Sequence, residues 1–215
     1  MSPSWRHLLV WLHVVTSVAW MSQALALFAL NLHSALTGDL AGYRMAELLD
    51  GGLLAHFANA SAFTGIMLAA MTRWGFFRYW WVLVKFVITL VQLYAGIFLL
   101  GPRLAELASG ARTADPPLLG GTLLMASAIA FQAWLSVAKP WRRTRWADRR
   151  PPAGRAATVE PPRWLLPYVL AVPVLDFVLG AVVLGHPAPL FFAVTAIAYP
   201  IWRGRALRRR AAATA

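Results

Sequence analysis

Residues 80–100 read WWVLVKFVITLVQLYAGIFLL, a run of 21 residues that contains a single charge, at Lys85. An α-helix rises about 1.5 Å per residue, so about 20 apolar residues cross the hydrocarbon core of a bilayer. The run therefore predicts a transmembrane helix. Five other stretches share this character to differing degrees, which gives six predicted spans, the last of them the shortest: residues 9–32, 52–72, 80–100, 118–138, 164–184 and 188–202.

The overall composition points in the same direction. Hydrophobic residues make up 60% of the 215 residues and charged residues only 13%, whereas soluble domains carry about 25% charged residues. The chain has no cysteine, which excludes disulfides, thiolate metal sites, iron–sulfur clusters and a cysteine nucleophile. These features predict an all-α, polytopic transmembrane bundle of about six helices, with the lipid bilayer as its surroundings.

The basic residues are distributed unevenly over the predicted loops. Seventeen of the 20 Lys and Arg residues fall at the termini, on the loops of one side or, for Lys85, near the start of the span that follows such a loop, and three fall on the other side. Because basic residues accumulate on the cytoplasmic side, we predict a cell-membrane protein with both termini in the cytoplasm. This topology accounts for the net charge of +12, so no nucleic-acid partner is expected.

The same map divides the chain into four regions. Residues 1–138 form a four-helix transmembrane half, and residues 164–202 form a two-helix transmembrane part. Residues 139–163, rich in proline and arginine, are predicted to be a basic cytoplasmic loop lying against the anionic inner leaflet. Residues 203–215 form a basic cytoplasmic tail.

Polar residues recur at helical spacing in the first span. His13, Thr16, Ser17, Trp20 and Gln23 share one helix face, which should point into the bundle. One interpretation makes His13 a haem or metal ligand, with Gln23 deeper in the same cavity. The other interpretation is hydrogen bonding between helices, which uses the same residue types.

Three histidines are predicted near the outer membrane face. His33 ends the first span, His56 opens the second, and His186 lies in the turn between the fifth and sixth. Neutral imidazoles with nearby carboxylates suit zinc, copper or iron, so these three are candidate metal ligands. The alternative is that these histidines lie at the membrane interface without binding a metal. Since His13 and His56 should lie roughly 15–20 Å apart along the membrane normal, one haem bound by both is not expected.

Asp176 is the one acidic residue within a predicted span. It is expected near the midplane, at the depth of Gln23 and Gln92. A carboxylate with amide neighbours inside a bilayer predicts a proton relay, a substrate anchor or a protonated structural acid, and these three residues are the candidate catalytic groups. Residues 56–65, HFANASAFTG, are small or hydroxylated and favour close helix packing.

Two stretches carry a resemblance to known proteins. Residues 11–30 read WLHVVTSVAWMSQALALFAL, and residues 62–90 read AFTGIMLAAMTRWGFFRYWWVLVKFVITL. Together they resemble a group of actinobacterial multi-pass membrane proteins of largely unknown function, which share LHVVxSVxW and TGxxxxxxTxWGxFRxxWVxxK patterns. The resemblance covers about the first half of the chain.

The LHVV..VAW segment is also similar, more remotely, to the first helix of copper-resistance D type membrane proteins and of the membrane-bound bacterial protoporphyrinogen oxidase. In the latter family a histidine in this motif is associated with haem. The resemblance implies that His13 binds haem b or a histidine-bound iron or copper, and that Lys85 corresponds to a later lysine. The segment after Trp20 lacks the arginine and tyrosine–histidine of the oxidase pattern, so the resemblance implies cofactor binding and not porphyrin oxidation.

Three functions are compatible with these features. The first is a haem- or metal-binding membrane oxidoreductase or oxidoreductase subunit, serving a secondary-metabolite pathway. The second is a transport or accessory protein with a polar cavity around Asp176. The third is a structural membrane anchor that positions a soluble or membrane partner subunit through the basic loop. Assembly as a homo-oligomer stays open in all three.

Overall fold

A computed structural model describes residues 3–72, 74–113, 115–145, 147, 162 and 164–212. The described residues form helices and connecting loops, and the one β-contact among them is an isolated bridge between Tyr79 and Arg143. The all-α prediction is therefore confirmed. The helices are α1 (Pro3–Thr37), α2 (Ala41–Leu49), α3 (Ala55–Met71), α4 (Trp80–Ala95), α5 (Gly101–Ala108), α6 (Pro116–Ala138), α7 (Leu165–Phe177) and α8 (Leu190–Ala212).

Several of these helices are continuous with one another through π-helical segments. Asp50–Leu54 joins α2 to α3, Gly96–Leu100 joins α4 to α5, and Val178–Leu184 extends α7. By length and composition, five of the resulting helices can cross a membrane: Trp5–Thr37, Ala41–Met71, Trp80–Ala108, Pro116–Ala138 and Leu165–Leu184. The first five predicted spans thus coincide with helices of the required length.

The second and third spans are longer than the sequence predicts. The second begins at Ala41, within the predicted outer loop, because α2 is held against α1: the Tyr43 backbone N–H donates to Ser34 Oγ at 3.1 Å. The third continues to Ala108, and Arg103 near its end forms an ion pair with Asp115 at 3.0 Å. In both cases a polar contact at the helix end extends the helix beyond the apolar run.

The last helix differs most from its prediction. Its 23 residues run from Leu190 to Ala212 without interruption, so the predicted sixth span and most of the predicted basic tail form one helix. Arginines in its second half exclude α8 from the helices that can span by composition alone. Most of the predicted basic loop, residues 148–161 and 163, lies outside the described residues. Its first part is ordered against the α3–α4 loop, where the Thr144 N–H donates to the Arg78 carbonyl at 3.1 Å.

The helix that contains α3 is the most buried of the long helices, and α3 packs against α1, α4, α7 and α8. Helix α1 also packs against α2 and α6. One buried cluster joins α1 and α3 to α7 and α8, through residues that include Phe63, Met67 and Val169. Helix α4 and the segment Gly96–Leu100 that continues it expose large apolar side chains, of which Val91, Ile97 and Phe98 are 60–62% exposed. Soluble proteins rarely expose such contiguous apolar surface, whereas lipid accepts it. The fold is accordingly compatible with an integral membrane protein.

Candidate functional site

His13 packs against the small-residue stretch of α3. Its Nδ1 atom lies 3.0 Å from the Ser61 carbonyl oxygen and 3.1 Å from Thr64 Oγ1. The ring lies so close to Gly65 that a Cβ there would be 3.0 Å from His13 Cε1. Nearby, Ser17 Oγ and Ser61 Oγ are 2.7 Å apart. The polar face of the first span therefore points at α3, as its spacing predicts, and the small residues of α3 allow the close approach.

The hydrogen bonds of His13 determine the tautomer of its ring. A carbonyl oxygen only accepts, so Nδ1 carries the hydrogen that is donated to Ser61. The Thr64 hydroxyl donates to the Ala60 carbonyl at 2.8 Å and can therefore only accept from the ring. The neutral ring then keeps its lone pair on Nε2. Histidines that bind metals usually have this arrangement, with the other ring nitrogen donating to a carbonyl or carboxylate.

Lys85 of α4 is the second residue that the resemblance implies for cofactor binding. Its Nζ donates to Ser136 Oγ on α6, which in turn donates to the Gln132 carbonyl at 2.9 Å. Within the described ranges, the hydrogen bonds of the Lys85 side chain are thus to α6, whereas those of the His13 ring are to α3. The role of both residues in cofactor binding stays a prediction.

Gln92 belongs to a hydrogen-bonded ladder between α4 and α6. Its Oε1 accepts from Gln132 Nε2 at 2.6 Å, and its Nε2 donates to the Met125 carbonyl at 3.0 Å. Thr89 Oγ1 donates to Gln132 Oε1 at 2.9 Å. Because both ends of the Gln92 amide are used in helix pairing, its geometry is that of a structural contact. The predicted catalytic grouping of Gln92 with Asp176 is not formed.

The ladder predicts a measurable contribution to stability. Gln132→Leu removes two bonds between the helices and leaves Thr89 and Gln92 without their partner. Such bonds contribute about 0.6 kcal/mol each on average inside membranes, so we expect a loss of about 1–2 kcal/mol in the free energy of unfolding in detergent. Ser127→Ala is the control, since Ser127 lies exposed on α6 and bonds only to its own helix. Equal stability of both variants would contradict this role of the ladder.

Asp176 caps the start of α8. The Asp176 Oδ1 atom accepts a hydrogen bond from the Phe191 N–H, and Oδ2 accepts one from the Phe192 N–H, both at 2.9 Å. Asp176 is 6% exposed. The cavity beside it, which His56 and Asn59 also line, has a volume of about 10 Å³. That is room for one water molecule. Neither Gln92 nor Gln23 lines this cavity.

A re-entrant turn explains this position of Asp176. The chain folds back after Leu184, and the His186 N–H donates to the Gly180 carbonyl at 3.1 Å. Helix α8 therefore begins beside Asp176 and not at the level of Leu184, where the extended helix ends. Only a residue without a Cβ allows this approach, because a Cβ on Gly180 would lie 3.0 Å from the Ala188 nitrogen. Gln23 is elsewhere on α1, and its Oε1 is buried with no hydrogen-bond partner within the described ranges.

The three outer histidines do not assemble into a metal centre. Within the described part of the chain, no three His, Asp or Glu side chains are grouped so that they could hold a metal ion. His33 and His186 are exposed, whereas His56 packs edge-on against Phe177 with 4.8 Å between ring centroids. The predicted ligand set His33, His56 and His186 is corrected accordingly, because His56 lines the small cavity beside Asp176 whereas His33 is exposed at the end of α1.

His13 and His56 are also closer than predicted. His13 contacts residues 61–65, which are 5–9 residues from His56 along α3. At 1.5 Å per residue this corresponds to about 8–14 Å, and not the 15–20 Å expected. Helix α1 begins at Pro3, six residues before the predicted first span, so His13 lies farther from the start of its helix than predicted. The two histidines still occupy separate contact sites.

Asp115 was not singled out by the sequence analysis, although it organises the outer end of the bundle. Its buried carboxylate accepts from the Leu118 N–H at 2.9 Å and pairs with Arg103 and Arg112 at 3.0 and 3.1 Å. It is the N-cap of α6, and Pro116 follows at the first helical position. An aspartate directly before a proline and an apolar run is a known start signal for helices, and this signal could have identified it.

No family model, curated protein or solved structure matches this chain.

Proposed function

We propose that this chain is an integral protein of the cell membrane, with both termini in the cytoplasm, and that it binds haem through His13 as an oxidoreductase or oxidoreductase subunit. One observation carries the proposal. The His13 ring donates through Nδ1 to the Ser61 carbonyl at 3.0 Å, which orients the ring and leaves Nε2 as a ligand atom. The uneven distribution of arginines supports the orientation.

The chemistry of the available ligands favours haem over a metal held by protein alone. A haem iron needs one protein ligand, and His13 supplies one nitrogen in the required tautomer. A histidine-bound iron or copper centre needs several ligands, and the described residues contain no group of three. Lys85 supplies a basic group on α4, and a basic group suits the carboxylates that haem carries.

Within such a site the chain itself would have three tasks. The Ser61 carbonyl holds the ring in one orientation, Gly65 leaves room for it against α3, and Lys85 supplies positive charge. Haem, when bound, supplies one-electron chemistry at its iron. The transport alternative receives no support from the geometry, since both oxygens of Asp176 bond to backbone N–H groups and the adjacent cavity holds only one water.

Absorption spectroscopy tests the proposal directly. Protein purified in mild detergent from cells supplied with a haem precursor should show a Soret band and about one iron per chain. The band should shift on reduction with dithionite, as expected of an iron that changes oxidation state. A colourless, iron-free protein that is folded by circular dichroism would overturn the proposal.

A further inference from the structure

The second half of α8 extends past the inner end of α7. Tyr168 of α7 and Thr195 of α8 are joined by a hydrogen bond of 2.9 Å, and Tyr199 packs in the same cluster as Leu165, the first residue of α7. From Tyr199 the helix continues to Ala212, a further 13 residues. At 1.5 Å per residue, it runs about 20 Å beyond the level at which α7 begins.

One face of this extension forms a shallow groove whose side chains change from apolar to cationic along the helix. All of its lining residues belong to α8, so the groove is an open strip along one helix face and not an enclosed cavity. Its lining residues recur every three or four positions, and the apolar ones come first, followed by the cationic ones towards the end: Ala198, Ile201, Trp202, Arg205, Ala206 and Arg209.

The positive charge of this face has no acidic partner among the residues that the structure describes. Helix α8 contains no acidic residue, and no ion pair between described residues includes Arg205 or Arg209. The two arginines are one helical turn apart and both are exposed. Residues four apart lie on the same side of a helix, so they can act on one anion together.

We propose that this groove binds an anionic phospholipid of the inner leaflet, with its acyl chain along Ala198 and Ile201 and its phosphate between Arg205 and Arg209. Along the groove, apolar side chains are followed by Trp202 and then by arginines. A leaflet has the same order of hydrocarbon, interface and charged headgroups, and tryptophan favours the interface. A lipid with net negative charge satisfies both arginines, whereas a zwitterionic headgroup brings its own cation. Assignment to the inner leaflet rests on the orientation given in the proposed function.

Native mass spectrometry on delipidated protein tests the groove. We expect phosphatidylglycerol to bind tightly and Arg205→Gln/Arg209→Gln to weaken it about 30-fold, because each basic residue contributes about 1 kcal/mol towards anionic lipid. Arg6→Gln/Arg142→Gln is the matched control: it removes two exposed charges that are also predicted to be cytoplasmic, but lie outside the groove. Binding in the control should stay within about twofold of the unmodified protein.

Three results would overturn the inference. They are equal affinity for phosphatidylcholine and phosphatidylglycerol, equal weakening in both double variants, and full displacement of the lipid by inorganic phosphate at the same concentration. Thermal unfolding of each variant confirms that it is folded. Because the titration is made in detergent, its outcome does not depend on membrane orientation or on haem, and a failure there is distinct from a failure of the proposed function.

Discussion

Asp176→Ala is expected to lower the free energy of unfolding by about 3–6 kcal/mol. The carboxylate accepts two backbone N–H groups at the start of α8, at 2.9 Å each, from a position that is 6% exposed. Hydrogen bonds to charged groups contribute about 1.5–3 kcal/mol each, and the N–H groups of Phe191 and Phe192 would be left without their acceptor. Thermal or denaturant unfolding in detergent measures the loss.

Asp39→Ala provides the matched control. Asp39 Oδ1 accepts from the Ala41 N–H at 2.9 Å, but in an exposed turn, where water replaces the lost acceptor. Loss of such an exposed cap costs about 1 kcal/mol. If Asp176→Ala were as stable as Asp39→Ala, the carboxylate would not be a structural cap. Unchanged stability together with abolished proton- or substrate-coupled flux in proteoliposomes would instead identify Asp176 as a transport residue.

His13→Ala is expected to remove the bound haem, so that the Soret band of the purified protein falls by at least tenfold. The reason is that His13 Nε2 is the ligand atom that the bond to the Ser61 carbonyl leaves free. His33→Ala is the control, since His33 lies exposed at the outer end of α1 and contacts no part of this site. A full Soret band in His13→Ala would show that another residue binds the cofactor.

Gly65→Ala tests the same site without changing the ligand. The added Cβ would lie 3.0 Å from His13 Cε1, closer than real Cβ contacts normally are, so the ring must move away from α3. We expect weaker haem retention than in Gly120→Ala, where the added Cβ meets nothing within 4 Å and the residue is also in a transmembrane helix. Equal retention in the two variants would mean that the contact with α3 does not orient His13.

The apolar runs were sufficient to predict the membrane helices, because lipid selects for length and hydrophobicity and both can be read locally. The polar face of the first span was predictable for a similar reason: helical spacing places His13, Thr16 and Ser17 on one side. The structure confirms that this face meets α3, where Ser61, Thr64 and Gly65 supply small and hydroxylated surface. Local periodicity therefore located the candidate site.

Contacts that depend on loop geometry were not predictable in this way. Depth counted along α7 put Asp176 near the midplane with Gln92, but a turn of five residues folds back against Gly180 and brings the start of α8 to the carboxylate. The length of the second span was underestimated because α2 is amphipathic and is held to α1 by Ser34. In both cases a contact between different helices determines where a helix begins, and the local sequence pattern does not predict that contact.

Substituted-cysteine labelling tests most directly the claim that lipid surrounds these helices with the arginines on the cytoplasmic side. The chain has no cysteine, so a single introduced thiol gives the whole signal. A membrane-impermeant maleimide should label Ala111→Cys, in the α5–α6 loop, in intact cells, and should label Ala147→Cys, beyond α6, only after the cells are opened. Labelling of Ala147→Cys in intact cells, or recovery of the protein from the cytosol without detergent, would contradict the account.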